Sequence, residues 1–198
     1  MNSVAVSTQK REEVGSRVAK IARQEGLIPA VIYGGKTTDH VLVSPKEVKN
    51  LIYTSDFKIA KVDLGGQVVD CIVKDTQFHP VSDELLHIDF LRLTEGTPVK
   101  VEVPVRFVGT SPGVKLGGKL IQQMRKLKIK TTPENLIDEI KVDISHLDLG
   151  QVLRVKSVKV GENIEVLANT SIPIANIEIP RALKSAAAAE AKAGGKKK

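Results

Sequence analysis

The sequence contains no tryptophan, and it has only two tyrosines and four phenylalanines among its 198 residues. Proteins that bind single-stranded nucleic acid without sequence preference stack the bases on aromatic side chains. The composition therefore argues against a broad stacking platform of that kind. Any RNA bound by this chain should be structured and duplex-like, and it should be recognised through shape, phosphates and a few base edges.

Cysteine is also scarce, since Cys71 is the single one in the chain. It lies in an apolar segment, which predicts a small buried core residue. A lone cysteine gives no disulfide framework, and this fits a reducing compartment such as the cytoplasm.

Long apolar runs and cofactor motifs are missing as well. No run approaches the ~20 residues of a membrane span, and the N-terminal segment lacks the apolar stretch of a signal peptide. The Gly-Gly pairs lack the residues that would complete a phosphate-binding loop, and the four histidines show no close metal-ligand spacing. We therefore expect no membrane contact, no cofactor, no metal site and no catalytic site.

The net charge of +7 is unevenly distributed along the chain. Residues 181–198 contain six basic side chains and one acidic side chain, so the first 180 residues carry only +2. A nucleic-acid binder with so balanced a body must carry a local basic patch. One candidate patch lies in the first 36 residues and consists of Arg11, Arg17, Lys20, Arg23 and Lys36, although Glu12, Glu13 and Glu25 dilute it. A solvated helix face explains these residues equally well.

The hydrophobic pattern predicts a mainly β protein with short helices. Helical periodicity covers residues 16–25, with Ser16 as a possible N-cap, and a serine, proline and glutamate at Ser44, Pro45 and Glu47 indicate a second helix start. Alternating segments dominate elsewhere, including a single strand predicted over residues 120–131 with basic residues at 125, 126, 128 and 130. Pro104, within another such segment, indicates an edge strand or a bulge.

The chain divides into three parts on this reading. A glycine- and proline-containing stretch at residues 94–98 separates an N-terminal domain, residues 1–94, from an all-β C-terminal domain, residues 95–180. Residues 181–198 are rich in alanine and lysine and predict a flexible basic tail.

Residues 68–93 stand out as a β-hairpin with a polar turn at 80–84. Because strand side chains alternate, His87 and Asp89 should share one face. Leu86, Ile88 and Phe90 should share the other. The carboxylate would then hold the imidazole in one tautomer and present its second ring nitrogen to a partner. Gln77 and His79 should lie close to this pair. A metal pair and a simple surface pair remain alternatives to partner recognition.

Five segments carry a resemblance to a known family. They are residues 26–35 (GLIPAVIYGG), 77–80 (QFHP), 86–90 (LHIDF), 103–109 (VPVRFVG) and 113–118 (GVKLGG). Together they resemble a bacterial large-subunit ribosomal protein family that binds 5S rRNA, in its two-domain form known as the CTC or general-stress type. The family often has arginine where Phe78 stands in this chain.

The resemblance implies a fold, a partner and a set of contacts. The N-terminal domain would be a six-stranded β-barrel that binds an internal-loop region of 5S rRNA, mainly across the minor groove. The matching RNA-contacting positions are Arg23, Tyr33, Gln77, His87 and Asp89. Arg11 and Lys20 match positions that are basic in the family, and His79 precedes the motif proline and joins the set. Read without the family, Tyr33 is equally well a half-buried core tyrosine.

Three functions are compatible with these features. The first is a structural, non-enzymatic constituent of the large ribosomal subunit, monomeric there and in contact with 5S rRNA and neighbouring components. The second is a stress-linked interaction module that acts off the ribosome through the C-terminal domain. The third is an enzyme using His87 and Asp89, which would require a deep pocket beside them.

Overall fold

The computed structural model describes residues 2–35, 37–161 and 163–180. The predicted basic tail, residues 181–198, lies outside this part of the chain. The expected fold class is confirmed, because strands dominate, the helices are short, and a closed six-stranded barrel precedes further β-sheet.

Six strands close the barrel in the order β1-β3-β2-β6-β5-β4. Their bounds are β1 Ser3–Lys10, β2 Ile28–Tyr33, β3 Asp39–Val43, β4 Ile59–Asp63, β5 Val68–Phe78 and β6 Leu85–Arg92. Alternate residues point inward and form one apolar core, in which Ile32, Ile88 and Phe90 are fully buried. Cys71 belongs to this core as predicted, and burial raises the pKa of its thiol to about 12, against a smaller opposing effect of Arg92.

Two helices accompany the barrel, α1 Ser16–Gln24 and α2 Pro45–Ile52. The predicted N-cap at Ser16 is wrong by one residue: Gly15 is the cap, with a φ of +144° that favours glycine. Ser44 caps α2 and Pro45 begins it, as predicted. Glu47 does not close a capping box, because its carboxylate accepts the Ser7 N–H of β1 at 2.8 Å and so ties α2 to the barrel.

The remaining strands form two sheets after residue 98. One has the order β10-β7-β9-β12 and the other β11-β13-β8. The bounds are β7 Val99–Val108, β8 Lys119–Gln122, β9 Lys126–Thr131, β10 Ile140–Asp143, β11 Val152–Arg154, β12 Glu165–Val166 and β13 Pro173–Glu178. A four-residue helix, α3 Pro112–Lys115, interrupts a unit predicted to be all β.

Two details of this unit differ from the sequence prediction. The single strand expected over residues 120–131 is two strands, β8 and β9, in different sheets. Pro104 lies within β7, an internal strand of its sheet. It is tolerated there because β7 changes partner at that point: residues up to Pro104 pair with β9, and pairing with β10 begins at Val105.

The second unit, which consists of strands β7 to β13 and helix α3, packs on the outside of the barrel. Ile72 of β5 points outward from the barrel yet is only 1% exposed, because it joins the core cluster of the second unit. Leu91 and Leu93 pack against the same cluster. An ion pair between Arg106 and Asp56 at 2.6 Å adds a polar contact beside this apolar one. The barrel face next to Ile72 and Leu91 is therefore held close to the second unit.

Candidate nucleic-acid interface

The hairpin of β5 and β6 forms as predicted, and its register sets the candidate face. Gln77 lies opposite His87, and Asp75 lies opposite Asp89, so all four side chains share the outer face of the barrel. This arrangement depends on two interruptions of the ladder, one at Lys74 and one at Leu86. Each leaves one extra residue on its strand, which shifts the alternation on either side.

The interruption beside Leu86 corrects one predicted core position. Simple alternation places Leu86 inward with Ile88 and Phe90. In the structure Leu85 lies opposite Phe78 and is 9% exposed, whereas Leu86 is only partly buried. The extra residue turns Leu85 toward the core and frees the Leu86 backbone for other contacts.

The predicted imidazole–carboxylate pair is present. His87 Nδ1 lies 2.8 Å from Asp89 Oδ1, and the two side chains are 27% and 32% exposed. A carboxylate at this distance accepts the proton of Nδ1, so the neutral ring carries its free lone pair on Nε2. No hydrogen bond to that nitrogen is found from the described residues. The face therefore presents one oriented acceptor.

Tyr33 lies on the same face, on the strand next to β6. Strands β2 and β6 run parallel with Val31 beside Asp89 and Tyr33 beside Leu91, and paired residues point to the same side. Desolvation raises the pKa of the Tyr33 phenol, and the charges of Asp89 and Asp75 raise it further. Its hydroxyl consequently stays protonated and able to donate a hydrogen bond at neutral pH.

Helix α1 brings Arg23 to the same region. The Arg23 Nε donates to the Leu86 carbonyl at 3.0 Å, a backbone acceptor at the interrupted part of the ladder. Lys20 stands three residues earlier, on the same side of α1 as Arg23, and both side chains are exposed. The helix therefore adds two positive charges at the border of the face.

Arg11 and His79 are both hydrogen-bonded to backbone groups of their own loops. The Arg11 guanidinium donates to the carbonyls of Glu13 at 2.7 Å and Gly15 at 3.1 Å, so it fixes the segment between β1 and α1. His79 Nδ1 accepts the backbone N–H groups of Val81 and Ser82 at 3.3 and 3.1 Å. Its ring therefore organises the hairpin turn.

Asp75 is a residue of the face that the sequence analysis missed. It lies two positions before Gln77, and the alternation that placed Gln77 outward would have placed Asp75 there too. Its carboxylate accepts the Thr76 N–H at 2.8 Å and lies opposite Asp89 across the strands. Like charges directly opposite each other destabilise a sheet, so this pair costs the fold some stability.

Other site types find little support in the part of the chain that the structure describes. No group of three histidine, cysteine or acidic side chains there is arranged to hold a metal ion. Neither of two clefts in these residues has His87 or Asp89 in its lining. Within the same residues, no helix combines the length and apolarity needed to cross a bilayer.

Two family models and several full-length relatives match this chain. The sequence model of the Ribosomal L25p family matches residues 6–90, and that of the "Ribosomal protein TL5, C-terminal domain" matches residues 98–181. A large ribosomal subunit protein bL25 of Amoebophilus asiaticus is 39% identical over the whole length of both chains. Similar proteins of Cytophaga hutchinsonii and Bacteroides thetaiotaomicron are 38% and 37% identical, and each match covers 97% of this chain and 100% and 97% of the relative.

Proposed function

Because the chain belongs to the bL25 family of large ribosomal subunit proteins, we propose that its barrel binds 5S rRNA through the face of Tyr33, Gln77, His87 and Asp89. Membership of this family makes the protein a structural, non-enzymatic component of the ribosome. The resemblance of the hairpin and of the β2 segment to family motifs supports the choice of 5S rRNA. The observation that carries the proposal is the His87–Asp89 pair, held on rigid strands beside Gln77.

The face offers hydrogen-bonding groups that suit a duplex-like RNA. His87 Nε2 is an acceptor, the Tyr33 hydroxyl is a donor, and the Gln77 amide is both. The wide minor groove of an RNA helix displays 2′-hydroxyls and base edges, which need such mixed partners. Lys20 and Arg23 at the border of the face would bind phosphates and set the register of the RNA.

The scaffold limits the entropy lost on binding. His87 and Gln77 stand on neighbouring strands of a closed barrel, and Asp89 fixes the ring of His87 before any RNA arrives. Ordering a mobile side chain at an interface costs about 0.5–1.5 kcal/mol. A face whose central side chains are already oriented avoids part of that cost.

The test is a titration of full-length protein with 5S rRNA. His87→Ala should weaken binding by about 1–3 kcal/mol, because it leaves buried RNA groups without a partner. His146→Ala is the matched control, since His146 is an exposed histidine of the second unit and lies outside the face. Equal affinities for the two variants would contradict the assignment of the site.

Sedimentation distinguishes the two cellular roles that the sequence left open. We propose that the protein works as a single copy in the large subunit, in the bacterial cytoplasm, next to other ribosomal components. It should then co-sediment with large subunits, and H87A should move part of it to the top of the gradient. A wild-type protein found entirely among free proteins would favour the off-ribosome interaction module instead.

A further inference from the structure

A groove of about 570 Å³ runs between the barrel and the second unit. Its barrel wall consists of residues 73–76 of β5 and residues 54–58 after α2. The opposite wall consists of outward side chains of β7 and β9, including Lys100, Lys126 and Lys128. Two of the four basic residues at positions 125, 126, 128 and 130 therefore line this groove.

The groove is richer in cations than in carboxylates, and its carboxylates already have partners. Its lysines are Lys58, Lys74, Lys100, Lys126 and Lys128, and its acidic residues are Asp56, Asp75 and Glu102. Asp56 pairs with Arg106 at 2.6 Å, Glu102 pairs with Lys128 at 3.4 Å, and Asp75 accepts the Thr76 N–H.

Four of the five lysines have no carboxylate partner among the described residues, and two of these four, Lys58 and Lys74, donate to backbone carbonyls instead. Lys100 and Lys126 form no ion pair there, and both side chains are exposed. Lys100 also lies directly opposite Lys130 in the β7–β9 register. Like charges in this position destabilise a sheet unless an anion neutralises them, and Lys130 has Glu165 for that purpose while Lys100 has none.

The groove opens onto the candidate RNA face. Asp75 lines the groove and also stands opposite Asp89 within that face. Gln77 is two residues further along β5, about 7 Å away at the usual rise of a strand. An RNA strand lying on Gln77 and His87 would therefore reach the mouth of the groove within a few nucleotides. Lys100, Lys126 and Lys128 line the same groove.

We infer that Lys100 and Lys126 of the second unit bind the phosphate backbone of the same RNA that the barrel face binds. This inference rests on the proposed function. Continuity with the face and the unpaired positive charges favour RNA as the occupant over an acidic protein. The second unit then extends the RNA footprint through contacts that carry no sequence information, because they involve phosphates only.

The experiment measures the salt dependence of 5S rRNA binding for three full-length proteins. These are the wild type, K100Q/K126Q, and the control K115Q/K156Q, which removes two exposed lysines outside the groove. Log affinity falls as log salt rises, and each lost phosphate contact should reduce the steepness of this fall by about 0.7–0.9. The groove variant should therefore lose about 1.5 from the slope and bind on the order of tenfold or more weakly at 0.1 M salt.

Hydroxyl-radical footprinting of the same complexes supplies a second measurement. K100Q/K126Q should lose protection at one end of the wild-type footprint and keep the part that His87→Ala removes. If the groove variant and the control share one slope and one footprint, the inference is wrong while the proposed function stands. If wild-type protein itself gives no saturable binding, the proposed function fails. Thermal unfolding of each variant checks that the fold is retained.

Discussion

Replacing Asp89 with asparagine tests whether the carboxylate acts by orienting His87. The pair is joined at 2.8 Å and both side chains are about a third exposed, so water screens the electrostatic part of the interaction. The main loss is then orientation. Without the carboxylate the ring samples two tautomers and two flipped positions, and selecting one of four states costs about 0.8 kcal/mol, or about fourfold in affinity.

Combining Asp89→Asn with His87→Ala separates the orienting effect of the carboxylate from the effect of its charge. Asp89→Asn should weaken 5S rRNA binding about fourfold in the wild-type background. In the His87→Ala background it should not weaken binding at all, since no ring remains to orient and a negative charge near phosphates has been removed. The coupling energy of this double-mutant cycle should be about 0.8–1.5 kcal/mol.

Asp75→Asn is the matched control, because it removes a carboxylate from the same face without touching His87. It should leave RNA affinity unchanged or slightly higher. Isothermal titration calorimetry gives the affinities, and ¹⁵N shifts of the imidazole report the tautomer directly. An equal effect of D89N with and without His87 would refute the orienting role.

Two further predictions concern the barrel that carries the face. The pKa of the Cys71 thiol is about 8.5 in the unfolded chain and about 12 in the folded protein. Above pH 8.5 the unfolded state therefore binds fewer protons than the folded state. The free energy of unfolding then falls by about 1.4 kcal/mol per pH unit. Cys71→Ala should remove this part of the alkaline loss in urea unfolding measured from pH 8 to 10, and identical pH profiles for the two proteins would contradict the burial argument. Gly34→Ala should lower the free energy of unfolding by more than Gly65→Ala does. Gly65→Ala should cost only the backbone strain of a non-glycine residue at positive φ, about 1–3 kcal/mol. Both glycines have positive φ, but a Cβ at Gly34 would lie 2.6 Å from Leu91 Cδ1, whereas nothing lies within 4 Å at Gly65. Equal denaturation midpoints for the two variants would rule out the close approach of β2 to Leu91.

The sequence was informative wherever local pattern decides structure. Period-2 alternation predicted the hairpin, the shared face of His87 and Asp89, and the buried Cys71, because a strand with one buried face leaves little freedom in register. The Ser44-Pro45 helix start was equally readable. These features need only neighbours in the chain, and the closed barrel itself came from the family resemblance.

Features that depend on distant partners were not readable in the same way. The interruption that turns Leu85 inward requires knowledge of the register between two strands. The strand predicted over residues 120–131 breaks because its halves pair with different sheets. Ile72 looks like an ordinary strand residue, and only the packing of the second unit explains why an outward side chain is buried.

The predicted contact residues also fall into two groups, according to whether strand pairing or a motif led to their selection. Tyr33, Gln77, His87 and Asp89 are brought together by strand pairing, with Arg23 at their border. Arg11 and His79 were selected for charge and position in a motif. Their hydrogen bonds to backbone groups of their own loops become visible only in three dimensions.

The most direct test of the RNA-binding face is a footprint of 5S rRNA made with full-length wild-type, H87A and H146A proteins. The wild type and H146A should protect one continuous duplex-like segment, with the riboses of its minor groove shielded, and H87A should lose that protection at the same protein concentration. Identical protection by all three proteins, or protection confined to single-stranded nucleotides, would contradict the account.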